Sequence, residues 1–144
     1  MSTLQTGHVG LNVTDLDRSL AFYTRVFGFE VVHRGEEHAF LGKDGRPVVT
    51  LWRQSGTGAR ADVAGLHHLA FLVDTVEEVR RAEEVLRGLD ATFAYDGIVP
   101  HQEGSPSGGI FFTDPDGIRL EIYAPTGAET ATAPVAGAPT CGFF

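Results

Sequence analysis

The sequence predicts an α+β fold in which a βαβββ module occurs twice, and three observations support this prediction. Short runs alternate between apolar and polar residues as strands do, and two longer stretches carry apolar residues at helical spacing. Residues 8–13 are matched position by position by residues 68–73, sixty positions later. Each copy then ends in a β-rich run that follows an Asp-Gly turn. These features indicate a duplication that has diverged in sequence.

The first module occupies about residues 6–53. Residues 8–13 form its first predicted strand, and residues 14–17 carry the Ser/Thr-x-x-Asp/Glu pattern of a capped helix start. The apolar stripe of that helix consists of Leu16, Leu20, Tyr23 and Phe27. Gly28 can end the helix in a left-handed conformation. Three further strands are predicted at residues 29–34, 37–41 and 47–53.

The second module occupies about residues 66–124 and follows a linker rich in Gly, Ala and Ser at residues 54–65. Its first strand is predicted at residues 68–73, and Thr75 begins a second capping pattern. The stripe of the second helix consists of Val76, Val79, Leu86 and Leu89. The connection at residues 96–107 is longer than its counterpart, which suits either a lid or a plain surface insertion.

Residues 108–125 are the clearest hairpin in the chain. They contain Asp114-Pro115-Asp116-Gly117, in which proline presets φ and glycine accepts a positive φ. Alternation along the second strand places Glu121 with Arg119 and Tyr123, on the face opposite Leu120 and its apolar neighbours. Glu121 therefore lies on the non-core face, where a solvated side chain is the ordinary expectation.

Length and composition predict one domain over residues 1–124, followed by a tail at residues 125–144. The tail is rich in Ala, Thr, Pro and Gly, so we expect it to be largely disordered, with Phe143 and Phe144 either frayed or docked. The 11 Lys and Arg against 19 Asp and Glu give a formal net charge of -8. This charge argues against nucleic acid or a membrane surface as a partner.

Two further features indicate a cytoplasmic protein. Cys141 is the only cysteine, so an intrachain disulfide is excluded. The start of the sequence lacks a basic region followed by an apolar one, and no apolar run is long enough to span a bilayer.

His8, His68 and Glu121 are the candidate metal ligands. Alternation places His8 on one face with Asn12, and His68 on the corresponding face of the repeat, so the three side chains converge if the two sheets curve together. Two imidazoles and one carboxylate suit a divalent ion and leave coordination positions open. Such a centre carries a net charge of about +1 and favours a bidentate anionic oxygen ligand. The alternative is that each histidine only forms hydrogen bonds and that Glu121 pairs with Arg119 or solvent.

Three stretches carry a resemblance to a known family: residues 8–23, residues 68–73 and residues 114–121. They resemble the signatures of the vicinal oxygen chelate superfamily, which contains glyoxalases, bleomycin-resistance proteins and extradiol dioxygenases. The resemblance covers about residues 6–124. It implies paired βαβββ modules that form a cup-shaped mixed sheet, a metal at the base of the cup, a small-molecule substrate and a homodimer. Fe(II) or Mn(II) is favoured as the metal, with Ni or Zn as alternatives.

Departures from the family patterns narrow the range of activities that we expect for this chain. Glyoxalase I resembles this arrangement but has a second carboxylate where this chain has Thr50. Fosfomycin-modifying transferases and extradiol dioxygenases have His, His and Glu at the positions of His8, His68 and Glu121. Extradiol enzymes generally carry a Tyr at the position of Phe111, and an upstream His that His101 matches only with altered spacing.

We therefore expect a metal-dependent enzyme, with a ring-cleaving dioxygenase as the first choice and a lyase, isomerase or fosfomycin-type transferase as the second. A metal-free protein that binds a drug or metabolite is the third. His101 is the candidate acid or base, because its ordinary pKa of about 6.5 lets it exchange protons near neutral pH. His67 is assigned to packing or a strand edge, since it alternates away from His68. The candidate substrate-binding residues are Asn12, Thr50, Trp52, Phe111, Arg119 and Tyr123.

Overall fold

A computed structural model of the chain describes residues 2–144. Met1, the first residue of the predicted domain, lies outside the described residues. The chain divides into two compact units, Met1–Gly58 and Ala59–Phe144. In the described residues each unit contains one α-helix and one four-stranded mixed sheet. The predicted α+β fold is confirmed.

The first unit has the element order βαβββ. Its elements are β1 (Val9–Asn12), α1 (Leu16–Phe27), β2 (Glu30–Arg34), β3 (His38–Lys43) and β4 (Arg46–Trp52). The order in the sheet is β1-β4-β3-β2, with β1 parallel to β4 and the other neighbours antiparallel. All five elements were expected from the sequence, with small shifts at their ends.

Helix α1 begins one residue later than the capping pattern predicts. Asp15 is its N-cap, and the Asp15 carboxylate accepts a hydrogen bond from the Arg18 N–H at 3.0 Å. The Thr14 hydroxyl instead accepts from the Arg18 guanidinium, also at 3.0 Å. Gly28 ends the helix at φ 68°, and its N–H donates to the Thr24 carbonyl, as predicted.

The first sheet has one apolar face and one face with polar and aromatic side chains. The apolar residues of β1, β3 and β4 are buried: Leu11, Ala39, Leu41, Val49 and Leu51. On the other face the Trp52 indole N–H donates to the Thr50 hydroxyl at 2.9 Å. The Trp52 ring also stacks on His38, with ring centroids 5.2 Å apart. His38, which had no assigned role in the sequence, therefore packs against Trp52.

The second unit repeats the order with β5 (Leu69–Leu72), α2 (Val76–Gly88), β6 (Val99–Pro100), β7 (Gly108–Thr113) and β8 (Arg119–Ala124). The order in the sheet is β5-β8-β7-β6. Thr75 and Glu78 form the predicted capping box of α2. Strand β6 lies within the predicted long connection, and two residues are too few to show a periodicity in the sequence.

The registers of the two sheets show the duplication residue by residue. In the first unit Gly10 pairs with Thr50 across the parallel strands β1 and β4. In the second unit Ala70, sixty positions after Gly10, pairs with Glu121 across β5 and β8. Glu121 is thus the structural equivalent of Thr50.

The turn between β7 and β8 is built on a buried carboxylate. Asp114 accepts hydrogen bonds from the N–H groups of Asp116 and Ile118, at 2.9 and 2.8 Å. Gly117 has φ 84°, which is the conformation predicted for it. This turn fixes the start of β8 and therefore the position of Glu121, two residues into that strand.

The segment after β8 ends in a 3₁₀ turn at Thr140–Gly142. The Thr140 side chain is buried, and its hydroxyl donates to the Pro100 carbonyl at 2.6 Å. The end of the chain is therefore docked on the second unit. The mobility expected for residues 125–140 stays a prediction.

Across residues 2–144, neither helix combines the length and the apolar character that crossing a bilayer requires.

Candidate functional site

The centre of the candidate site is the Glu121 carboxylate. Glu121 lies in the middle of β8, on the predicted face with Arg119 and Tyr123, yet its side chain is only 2% exposed. The expectation that a side chain on this face is solvated is therefore wrong for Glu121. Its Oε1 faces His101, and its Oε2 lies 3.8 Å from Nε2 of His68. One buried carboxylate thus faces two imidazole rings.

His101 follows β6 and contacts Glu121 directly. A carboxylate can only accept, so Nε2–H of His101 donates to Oε1 of Glu121. Nδ1 then accepts from the Ser107 hydroxyl at 2.8 Å when the ring is neutral. The ring is also held edge-on against Tyr123, at a centroid distance of 4.8 Å. Sequence reasoning placed His101 on a loop near the site but did not place it on Glu121.

His68 precedes β5 and is partly buried. Burial lowers the pKa of His68, and this effect outweighs the opposite pull of the Glu121 charge. The ring is therefore neutral near pH 7, so the 3.8 Å approach to Glu121 is not an ion pair under those conditions. A neutral imidazole is the form that binds metals.

His67 holds the ring of His68 in place. The Nδ1 atoms of the two rings are 2.8 Å apart, so one nitrogen donates and the other accepts. If Nδ1–H of His68 donates to His67, the Nε2 lone pair of His68 is left directed toward Glu121. His67 was assigned to packing or a strand edge, and it is indeed exposed. Its contact with His68 was missed because both residues precede the regular strand, where alternation no longer fixes direction.

Arg119 does not form the predicted alternative pair with Glu121. Its Nε–H donates to the main-chain oxygen of His67 at 2.7 Å, and one Nη–H donates to the main-chain oxygen of Phe144 at 2.5 Å. Arg119 therefore connects β8 to the segment that precedes β5 and to the last residue of the chain.

The end of the chain and β7 cover Glu121. Phe111 pairs with Glu121 across β7 and β8 and is fully buried, in edge-on contact with Tyr95. Cys141 lies close enough for the Glu121 charge to help raise the pKa of its thiol, after the larger effect of burial. These contacts explain why a carboxylate on the non-core face is buried.

The remaining predicted site residues belong to the first unit. His8 directly precedes β1 and is exposed, which is the position equivalent to that of His68. Asn12 is exposed, and its side-chain oxygen accepts from the Gln54 N–H at 3.0 Å. Thr50 is buried, and its hydroxyl accepts the hydrogen bond from Trp52 described above. The assignment of His8 as a metal ligand stays a prediction.

The donor chemistry at Glu121 suits a divalent cation. A neutral imidazole nitrogen and a carboxylate oxygen are preferred ligands of Fe(II), Mn(II) and similar ions. A buried carboxylate also needs a nearby positive charge or strong hydrogen bonds, and a bound cation supplies the positive charge. Among residues 2–144, no three His, Cys, Asp or Glu side chains stand together as a ready metal-binding group. A complete centre therefore requires a ligand in addition to His68 and Glu121.

Comparison with known proteins defines the family. A model of the Glyoxalase/Bleomycin resistance protein/Dioxygenase superfamily matches residues 5–122. The chain belongs to this superfamily, as the resemblance of its motifs implied.

Three curated relatives carry different activities in their names. The chain is 29% identical to catechol-2,3-dioxygenase of Bacillus subtilis over 82% of its length, and it spans 40% of that protein. It is 30% identical to a probable lactoylglutathione lyase of Vibrio cholerae, covering 85% of this chain and 91% of that protein. It is 27% identical to metallothiol transferase FosB of Lysinibacillus sphaericus, covering 88% and 86% respectively.

Solved structures agree with the fold. A glyoxylase/bleomycin resistance protein/dioxygenase domain from Frankia matches with a TM-score of 0.68 and 28% identity, covering 85% of this chain and 98% of that domain. The fosfomycin resistance protein FosX of Listeria monocytogenes, solved with Mn(II) and sulfate, matches with a TM-score of 0.64 and 25% identity. That match covers 88% of this chain and 92% of the FosX chain.

Proposed function

We propose that the chain is a divalent-metal-dependent enzyme that chelates a small substrate through two adjacent oxygens, with His8, His68 and Glu121 as the metal ligands. The observation that carries the proposal is the buried Glu121 carboxylate, one oxygen of which faces a histidine of lowered pKa. His8 enters as the third ligand because it is the repeat equivalent of His68. Fe(II) and Mn(II) are the favoured metals, and Ni and Zn are the alternatives.

The metal would act as a Lewis acid toward the two substrate oxygens. The chain's own residues hold its ligands in place, since His67 orients His68 and His101 donates to Glu121. Such outer partners fix the ring orientation and the basicity of metal ligands. His101 also carries its proton at Nε2, beside the carboxylate, so it is the residue best placed to give up or take a proton there.

A ring-cleaving dioxygenase is the first choice of reaction. It is supported by the similarity to catechol-2,3-dioxygenase and by the histidine that contacts Glu121, since His101 is the residue that the extradiol pattern places upstream. Because the chain spans 40% of that relative, the activity of the whole relative does not transfer without a test.

A lyase, isomerase or thiol transferase is the second choice, supported by two relatives of which the chain covers 91% and 86%. A glyoxalase reaction is disfavoured within this group, because Thr50 occupies the place of Glu121 in the first unit and hydrogen-bonds to Trp52. Fosfomycin-type epoxide opening by a thiol needs no carboxylate at that place.

A metal-free protein that binds a drug or metabolite is the third choice. Metal analysis separates it from the other two, using protein purified without added ions or chelators. A stoichiometric Fe, Mn, Ni or Zn signal that is lost in a His8→Ala, His68→Ala double mutant would support the metal enzyme. Metal-free protein that still binds a ligand tightly would support the third choice.

The ligand role of Glu121 is tested by Glu121→Gln, which keeps the shape of the side chain and removes its charge. We expect the affinity for Mn(II) to fall at least about a hundred-fold, since the only charged ligand is lost. Glu36→Gln removes an exposed acidic residue of the first unit and serves as the control. Unchanged Mn(II) affinity in Glu121→Gln would show that the site has been misplaced.

The reaction class is tested with the metal-loaded protein. Oxygen consumption with a catechol and a yellow ring-opened product would support the dioxygenase. Reaction of an epoxide with a thiol, or of an α-keto hemithioacetal, without oxygen would support the second choice. His101→Ala should slow either reaction even when the metal is supplied in excess, because the group that exchanges the proton is lost.

Two further parts of the proposal concern the setting of the protein. We expect a homodimer in a cytoplasmic environment, as the family resemblance and the cysteine content predict. Sedimentation of the purified chain measures the first, and cell fractionation measures the second.

A further inference from the structure

The last residues of the chain are anchored beside the candidate site. Thr140 is fully buried, and its N–H donates to the main-chain oxygen of His101 at 2.8 Å. Its hydroxyl donates to the Pro100 carbonyl, and its own carbonyl accepts from the Tyr95 hydroxyl at 3.1 Å. Three hydrogen bonds therefore fix the position from which the final residues extend.

Phe144 lies against residues of the candidate site. Its ring makes edge contacts with Phe111 and His68, at centroid distances of 5.1 and 5.5 Å. Arg119 donates to its main-chain oxygen at 2.5 Å and holds its guanidinium carbon 5.9 Å from the ring centroid. Three side chains therefore contact Phe144: two lie against its ring, and the third contacts both its ring and its main-chain oxygen.

Two observations separate these contacts from ordinary packing of a chain end. The neighbouring Phe143 is 59% exposed, so only one of the two terminal rings is bound. The residues involved, 140–144, also lie outside residues 5–122, which are those matched by the superfamily model. The docked ring is therefore an addition to the superfamily domain.

We propose that His68, Phe111 and Arg119 form a binding site for an aromatic ring linked to an oxygen anion, and that Phe144 is its internal occupant. Edge contacts between aromatic rings favour this kind of ligand over a saturated one. The guanidinium of Arg119 is always charged and offers donors in a fixed geometry, which suits an anionic oxygen. The proposal goes beyond the proposed function and does not require a metal.

An internal occupant lowers the apparent affinity of the site for every ligand that comes from solution. The site is available only in the fraction of molecules in which Phe144 has left it, and the apparent affinity falls by that fraction. Residues 141–144 are held at one end by Thr140, so their local concentration is high. A ligand of this class must therefore displace Phe144 before it reaches His68.

The test measures binding of 3-phenylpropionate by titration calorimetry in protein kept metal-free with EDTA. This probe has the ring and the two intervening carbons of Phe144, with a carboxylate in the place of its main-chain oxygen. We expect Phe144→Ala to bind it at least about five-fold more tightly than the unaltered chain does. Phe143→Ala is the matched control and should bind it as the unaltered chain does, because that ring is exposed.

Two further measurements make the result specific. In the Phe144→Ala variant, 3-cyclohexylpropionate should bind about three-fold more weakly or worse, because it lacks the aromatic ring. Adding Arg119→Gln to Phe144→Ala should reduce the affinity for 3-phenylpropionate at least about ten-fold. Circular dichroism checks that each variant is folded.

Equal affinities in the unaltered chain, Phe144→Ala and Phe143→Ala would overturn the proposal, as would an absence of binding to all three. Because the protein is metal-free throughout, these outcomes do not depend on metal binding. A failure here and a failure of the metal proposal are therefore distinguishable.

Discussion

A single carboxylate, that of Glu121, organises the histidines of the second unit. It accepts a hydrogen bond from His101 and faces His68, whose other ring nitrogen contacts His67. Each of these rings has its direction set by a neighbour, which is the usual condition for a precise ligand set. Individual substitutions around Glu121 should therefore change metal binding more than they change stability.

His67→Ala tests this arrangement without touching a proposed ligand. We expect the affinity for Mn(II) to fall about ten-fold, because His68 loses the partner that orients its ring. The melting temperature should change little, since the His67 side chain is exposed. His33→Ala, which removes an exposed histidine from the first unit, is the control. Equal Mn(II) affinity in both variants would show that His67 does not orient His68.

Cys141 provides a test that depends on pH. Burial, together with the negative charge of Glu121, raises the pKa of its thiol above the ordinary value of 9.0. A raised pKa leaves less of the reactive thiolate at any given pH, so alkylation by iodoacetamide should become half-maximal at a higher pH than in a free Thr-Cys-Gly peptide. An identical pH profile in the protein and the peptide would contradict the partly buried setting of Cys141.

At the scale of elements, the hairpin of β7 and β8 fixes where Glu121 stands. The turn between these strands depends on Asp114, which accepts two main-chain hydrogen bonds from within the hairpin. Gly109 also allows the strands to approach closely, because a Cβ at this position would lie 1.9 Å from the Ile122 carbonyl oxygen. The hairpin therefore depends on a few particular residues as well as on its apolar alternation.

Asp114→Ala should lower the free energy of unfolding by about 2 to 4 kcal/mol, because two buried N–H groups lose a charged acceptor. Asp114→Asn keeps an acceptor oxygen and should cost less than Asp114→Ala. Urea unfolding of both variants measures the difference. Equal losses in the two variants would mean that the carboxylate oxygen does not hold the turn.

Local patterns in the sequence predict most of the elements but less of the site. Both helices, the Gly28 terminus and the Asp-Gly turns depend on neighbours within a few residues, so their signals are visible in the chain. The contact between His101 and Glu121 joins the residue that follows β6, a strand of two residues, to the middle of β8. The docking of Phe144 depends on Arg119, 25 positions away. Neither contact produces a period or a motif. The first was therefore missed, and the second was predicted only as one of two alternatives, frayed or docked.

At the scale of the whole molecule, the acidic net charge and the proposed metal centre both favour the binding of cations. A formal net charge of -8 attracts cations on average. Any cation that binds the folded chain and not the unfolded one also stabilises the fold. Metal binding should therefore be measurable as stability as well as by direct titration.

Mn(II) should raise the melting temperature of the unaltered chain. At a free concentration a hundred times the dissociation constant, the expected stabilisation is about 2.7 kcal/mol. Glu121→Gln should show no comparable rise under the same conditions. Scanning calorimetry with and without Mn(II) measures both proteins, and an equal rise in the two would point to binding elsewhere on the acidic surface.

The hydrogen bond between Arg119 and the main-chain oxygen of Phe144 has a practical consequence for any assay of this protein. A purification handle joined after Phe144 would start within reach of Arg119 and beside the ring that lies on His68. It would pull on that ring or bury it further, and either effect would be recorded as a property of the protein. Handles belong at the other end of the chain, and they should be removed before ligands are ranked.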